Sequence, residues 1–182
     1  MKHALIAAAA LFAFSAPAAA DTVVVTGDTT GAPTYNRPFT TTTLSGVGVD
    51  NPYETTSFTV SAAGIYTLAL NSDEFDTFLS LYSGSFDPDN ALSNLLAVDD
   101  DGGTGVNSLI SFSLVAGTTY LAVATGYDVD DFGEYALTLD GPGTITVDGA
   151  VVPEPATWAM MIGGMALAGG ALRRRRVSVT YA

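Results

Sequence analysis

The stretch Ala156–Leu172 carries no charge, and four consecutive arginines, Arg173, Arg174, Arg175 and Arg176, follow it directly. This pairing restricts what the chain can fold into. An uncharged apolar run belongs in hydrocarbon, while guanidinium groups stay on the cytoplasmic side of a bilayer and fix the orientation. Just upstream, Pro153-Glu154-Pro155 enforces an extended segment poor in hydrogen bonds, which a processing enzyme reads as a strand. At about 1.5 Å per residue the run reaches roughly 25 Å, short of the ~30 Å hydrocarbon core. Gly163, Gly164, Gly169 and Gly170 weaken it further as a permanent helix. A marginal transmembrane helix over about 156–172 suits a transient signal. An ordinary C-terminal membrane anchor is the alternative.

The opposite end reads as an export signal. Met1-Lys2-His3 is a short basic head, Ala4–Phe14 an apolar helix-forming core, and Ser15–Ala20 supplies small residues for a signal peptidase. Cleavage after Ala20 makes residues 1–20 a signal peptide and leaves Asp21 first.

Without the two ends the composition changes sharply. Between Asp21 and Pro155 a single basic residue, Arg37, stands against all nineteen carboxylates, a formal charge of −18. The one histidine, His3, leaves with the signal peptide, and the chain has no cysteine. Disulfides, thiolate metal sites and cysteine nucleophiles are thereby excluded, and the usual general base is missing. Such a body repels nucleic acid and anionic lipid and attracts divalent cations.

Period-two patterning dominates this body. Strands are expected at Ser57–Val60, Ile65–Leu70, Thr77–Tyr82, Leu95–Val98, Ser108–Leu114, Tyr120–Ala124 and Gly133–Leu139. Turn residues recur every eight to twelve positions, and no segment has a helical period. The expected fold is all-β, an antiparallel, jelly-roll-like β-sandwich over 53–150. It follows a Thr- and Gly-rich segment, 21–52, read as irregular loop or edge strands, and precedes the C-terminal signal at 151–182. The hairpin Ser57-Phe58-Thr59-Val60, Gly64, Tyr66 is echoed by Ser111-Phe112-Ser113-Leu114, Gly117, Tyr120. The glycine-to-tyrosine spacing differs by one, so this is a recurring hairpin and not a true repeat.

Two resemblances follow from these residues. Val152–Arg176, with Pro153–Met161 carrying the motif, resembles the PEP-CTERM sorting signal of Gram-negative exopolysaccharide producers. That resemblance implies a membrane-embedded exosortase as partner. Pro153, Glu154 and Pro155 would act as recognition residues in a substrate, and the body would be released to the cell surface or extracellular matrix. The body, through Phe58, Gly64, Tyr66, Asp76, Leu79, Leu81, Tyr82, Asp99-Asp100-Asp101, Ala116-Gly117, Tyr120 and Gly133-Glu134-Tyr135, resembles bacterial pre-peptidase C-terminal domains. These are small jelly-roll sandwiches, some of which bind calcium.

Candidate chemistry rests on carboxylates, hydroxyls and aromatics. Acids crowd the turns at Asp73–Asp76, Asp87–Asn90, Asp99–Asp101 and Asp128–Asp131. Calcium takes six to eight oxygens from flexible loops, so Asp99, Asp100 and Asp101 ahead of Gly102-Gly103 form the best candidate, with Asp76 joining from a neighbouring turn. Solvated turn acids are the competing reading, since Asp and Asn favour turns on their own account. Tyr127, among Gly126, Asp128 and Asp130, is the tyrosine best placed in a loop to stack on a ligand. No spacing selects a catalytic carboxylate pair, and no nucleophile elbow, phosphate loop or zinc motif is visible. The expectation is a non-enzymatic exported protein, inner-membrane-anchored as a precursor. Its expected role is structural or adhesive in an exopolysaccharide or biofilm matrix. A calcium-stabilised carbohydrate- or protein-binding module is the first alternative and a secreted hydrolase the second.

Overall fold

The computed structural model describes residues 20–148 and Met165. The chain divides into two compact units, Met1–Asp148 and Gly149–Ala182, and of the second only Met165, in helical conformation, is described. The expected signal helix at 1–20 and the transmembrane helix at about 156–172 lie outside the described residues but for Ala20 and Met165. Among the described residues, no helix is long and apolar enough to cross a membrane.

The first unit is all-β and antiparallel. Among the described residues its strands are β1 (Ala20–Asp28), β2 (Thr34–Tyr35), β3 (Pro38–Thr40), β4 (Thr43–Leu44), β5 (Asn51–Val60), β6 (Gly64–Asn71), β7 (Thr77–Ser83), β8 (Leu95–Asp99), β9 (Ser108–Leu114), β10 (Thr119–Gly126), β11 (Glu134–Pro142) and β12 (Ile145–Val147). One sheet has the order β1-β11-β6-β9 and the other β12-β5-β10-β7-β8, with β2 added on β5 and β3–β4 a separate hairpin. All seven expected strands are present. The sandwich also starts earlier than Tyr53, because β1 pairs with β11 along its whole length, from Ala20↔Pro142 to Asp28↔Glu134.

Strand periodicity explains the core. Tyr66, Leu68 and Leu70 of β6, Leu137 and Leu139 of β11, and Ile110 and Leu114 of β9 point inward from the first sheet. They meet Phe58, Val60, Leu79, Leu81, Tyr120, Ala122 and Ala124 of the second. At about 1.5–3 kcal/mol for each large side chain fully buried, this layer is the main source of stability.

β7 does not alternate. Its first six residues are all buried, so both of its faces are covered. The second face carries its own cluster: Tyr35, Tyr82, Ala91 and Val123, packed with Tyr53, Phe86, Leu95 and Leu121. Tyr35, Tyr53, Tyr82 and Phe86 meet edge to face at centroid distances of 4.9–5.4 Å. Edge-to-face geometry sets the positive ring edge against a negative ring face. Part of the segment between Gly27 and Pro52 is therefore a cover laid over the outer face of the second sheet. The loop holding Phe86 and a short 3-10 turn (Pro88–Asn90) completes it.

Candidate functional site

Arg37 anchors this cover. It is fully buried, and its guanidinium lies over the Phe78 ring at 4.1 Å and near the Tyr127 ring at 4.8 Å. Nε donates to the Tyr127 carbonyl at 2.9 Å, Nη1 donates to the Pro38 carbonyl at 3.0 Å, and Nη2 also donates to Tyr127. Gly48 passes so close to the arginine stem that a Cβ there would collide with Arg37 Cγ. The Tyr127 amide in turn donates to the Asp76 carbonyl at 2.9 Å, which ties the arginine to the neighbouring acidic turn.

At that turn Asp76, Asp100 and Asp101 converge, each offering a carboxylate oxygen within 4.8 Å of the others. They come from different places: Asp76 just precedes β7, while Asp100 and Asp101 follow β8, which pairs with β7. Antiparallel pairing of these two strands is what brings the end of one beside the start of the other. Three carboxylates this close repel by about 3 kcal/mol per pair at an effective dielectric of ~20. Burial, then the charges of Asp101 and Asp131, raises the pKa of Asp76, with Arg37 opposing. Asp100 is pushed up to about 6, by burial first and then by Asp101 and Asp76, again against Arg37.

The polar atoms inside this cluster are not satisfied by the protein. Asp76 Oδ1 and Asp100 Oδ1 are both buried and have no hydrogen-bond partner. Buried polar oxygens without partners cost about 1–3 kcal/mol each, so such atoms call for a ligand or a proton. An all-oxygen donor set with a net negative charge fits a hard divalent cation, calcium above all. Bound there, the ion would supply positive charge that cancels the mutual repulsion and would join the β7 and β8 ends.

The sequence candidates separate under this geometry. Asp76, Asp100 and Asp101 come together, and Asp99 does not. Its Oδ2 accepts from the amides of Gly102 at 2.8 Å and Leu109 at 2.7 Å, so this carboxylate builds the turn and joins β8 to β9. Each of the other acidic turns also has a carboxylate engaged by a backbone amide. Asp87 accepts from the Asp89 amide, Asp131 from the Asp128 amide and Glu74 from the Glu134 amide. Tyr127 is half-buried, with its ring beside the Arg37 guanidinium and its carbonyl taken by the same residue. Arg37 was not among the sequence candidates. Its signal was its solitude: it is the single basic residue between Asp21 and Pro155.

Comparison with known proteins bears on the tail first. Residues 151–176 match the family described as the PEP-CTERM protein-sorting motif. The chain carries an exosortase sorting signal. That signal implies an exported protein processed by a membrane enzyme, and Pro153, Glu154, Pro155 and Arg173–Arg176 all lie within the matched segment. No curated protein matches the chain. The body is similar to the pre-peptidase C-terminal domain of a collagenase from Bacillus anthracis, solved at 1.0 Å. Identity is 16%, coverage is 65% of this chain and 88% of that one, and the TM-score is 0.41.

Proposed function

We propose that the chain is a non-enzymatic surface or matrix protein whose exported β-sandwich is held rigid by calcium at Asp76, Asp100 and Asp101. The observation that carries the reading is the pair of buried, unpartnered carboxylate oxygens, Asp76 Oδ1 and Asp100 Oδ1, inside a three-acid cluster. Extracellular calcium modules work at dissociation constants of about 10⁻⁴–10⁻³ M, so a site of modest affinity is filled outside the cell. The sorting motif supports delivery beyond the inner membrane, to the cell surface or extracellular matrix. There the role is structural or adhesive, within exopolysaccharide. A strongly acidic body remains soluble among anionic polymers and is linked to them through shared cations.

Melting the body in chelator and in calcium tests the metal. A tenfold excess of calcium over its dissociation constant adds about 1.4 kcal/mol, or roughly 5 °C for a domain of this size. Identical melts at millimolar calcium overturn the metal reading. Hydrolysis of the host's own polysaccharide by the purified protein overturns the non-enzymatic one. Mass spectrometry of the mature C-terminus tests release: a product still carrying Trp158 and the arginines is anchored, not released.

A further inference from the structure

Arg37 holds its charge without a direct counter-ion. The side chain is fully buried, yet its three hydrogen bonds all end on backbone carbonyls, two on Tyr127 and one on Pro38. Fully buried charges are ordinarily paired, and none of these bonds reaches a carboxylate. The counter-charge lies one step away. Phe78, the ring beneath the guanidinium, comes two residues after Asp76, and its neighbour Leu79 pairs with Asp99, the residue before Asp100. Both acid-bearing segments therefore flank the arginine. Tyr127 ties them together, with its carbonyl on Arg37 and its amide on the Asp76 carbonyl. Burial pulls the arginine's pKa down, and Asp100 is the first charge that opposes this.

The guanidinium is also fixed in place. The Phe78 and Tyr127 rings lie against it at 4.1 and 4.8 Å, and Gly48 closes over the stem so tightly that a Cβ there would meet Cγ, Nε and Cδ. A surface arginine swings into water when a second cation arrives. Arg37 has no such exit.

We propose that Arg37 is a built-in counter-ion that competes with calcium for Asp76 and Asp100 and so sets the affinity of their site. The inference rests on the cation reading of the Asp76–Asp100–Asp101 cluster given above. In the metal-free chain the guanidinium offsets part of the repulsion among the three carboxylates and lets the sandwich fold without an ion. When calcium enters, two positive charges share the same acids in a buried, weakly screened layer, and their repulsion weakens binding. Affinity is thereby held down toward the range of extracellular calcium modules, with dissociation constants of about 10⁻⁴–10⁻³ M. Such a site stays empty where calcium is scarce and fills where it is abundant.

The competition has a signature that a loss of packing does not reproduce, because repulsion scales with the charge of the entering ion. Titration calorimetry on the exported protein reads it. Arg37→Gln should bind calcium about tenfold more tightly than wild type and trivalent terbium about thirtyfold more tightly, as the free-energy gain grows from two charges to three. Arg37→Lys, which keeps the charge but not the planar fork, should stay within about threefold of wild type for both ions. Circular dichroism should find Arg37→Gln folded in saturating calcium, because the ion takes over the missing charge. The proposal is overturned if Arg37→Gln binds calcium no more tightly, if both ions gain equally, if Arg37→Lys tightens as much, or if Arg37→Gln stays unfolded in saturating calcium. Those results leave the metal site standing as long as the wild-type protein binds calcium. A wild-type protein that binds neither ion ends the metal site and the proposal with it.

Discussion

The outer face of the β12-β5-β10-β7-β8 sheet lies under an aromatic cover of Tyr35, Tyr53 and Phe86, whereas the outer face of the β1-β11-β6-β9 sheet is bare and holds mainly threonine, serine and alanine. The covered face gathers the charge chemistry of the molecule, with Arg37 buried beside the Asp76–Asp100–Asp101 cluster. The bare face carries exposed acids at Asp28, Glu134 and Asp140. The difference shows how one sandwich separates two tasks. A side chain held under a cover can be fixed in place, so oxygen ligands are assembled there; acids on an open face stay solvated and keep the body soluble.

The strongest way to break this comparison is to remove the pin of the cover. Arg37→Met leaves the Tyr127 and Pro38 carbonyls without their donor and the acids without their counter-charge. Each buried polar group left without its partner costs about 1–3 kcal/mol. The metal-free melting temperature should therefore fall by more than 10 °C, and a fall of under 2 °C would mean the cover stays in place without Arg37. Calcium should recover part of the loss, because it supplies the missing positive charge.

Asp100→Asn should abolish most of the calcium-induced rise in melting temperature while leaving the metal-free protein as stable or more so, since one like charge is gone. The pH dependence has a definite sign. Asp100 titrates at about 6 in the folded chain against 3.8 for an unperturbed aspartate. Across that window the folded state holds a proton that the unfolded state has released. The group's contribution to metal-free stability is therefore present below pH 3.8 and lost as pH rises to about 6. Calcium needs the ionised form, so its affinity should weaken as pH drops below 6. Melts with and without calcium at pH 4.5 and 7.5 check both halves, and a calcium shift that is larger at the lower pH contradicts the assignment.

Smaller effects sharpen the contrast. The Tyr35 hydroxyl is buried without a partner, so Tyr35→Phe should be neutral or stabilising by about 1 kcal/mol in a urea titration. Tyr82→Phe, two rings away in the same cover, loses its bond to the Ala91 carbonyl and should destabilise by about 1 kcal/mol. On the bare sheet Thr138→Val should change stability by less than about 0.5 kcal/mol.

Much of this was legible in the sequence wherever one periodicity ruled. β6, β9 and β11 alternate cleanly, so their inward residues follow from the order of letters alone. The sorting motif was equally plain, because proline, charge and apolar length each act locally. β1 was legible only as one of two readings, loop or edge strand: Thr-Val-Val-Val-Thr alternates in exposure but hardly in polarity. The cover between Gly27 and Pro52 was hidden for a different reason. β2 has two residues, and Tyr35 and Arg37 are buried by contacts to Tyr53, Phe78, Phe86 and Tyr127, all remote in the chain. In the metal cluster, the residue types and the loop were visible. The exclusion of Asp99 was not, since it depends on which way a carboxylate turns within the loop before Leu109.

A crystal structure grown in millimolar calcium tests the central claim most directly. The account predicts one strong density peak bonded to carboxylate oxygens of Asp76, Asp100 and Asp101 at about 2.3–2.6 Å. A map with water alone among these three side chains, or with calcium held only at other acidic turns, contradicts it.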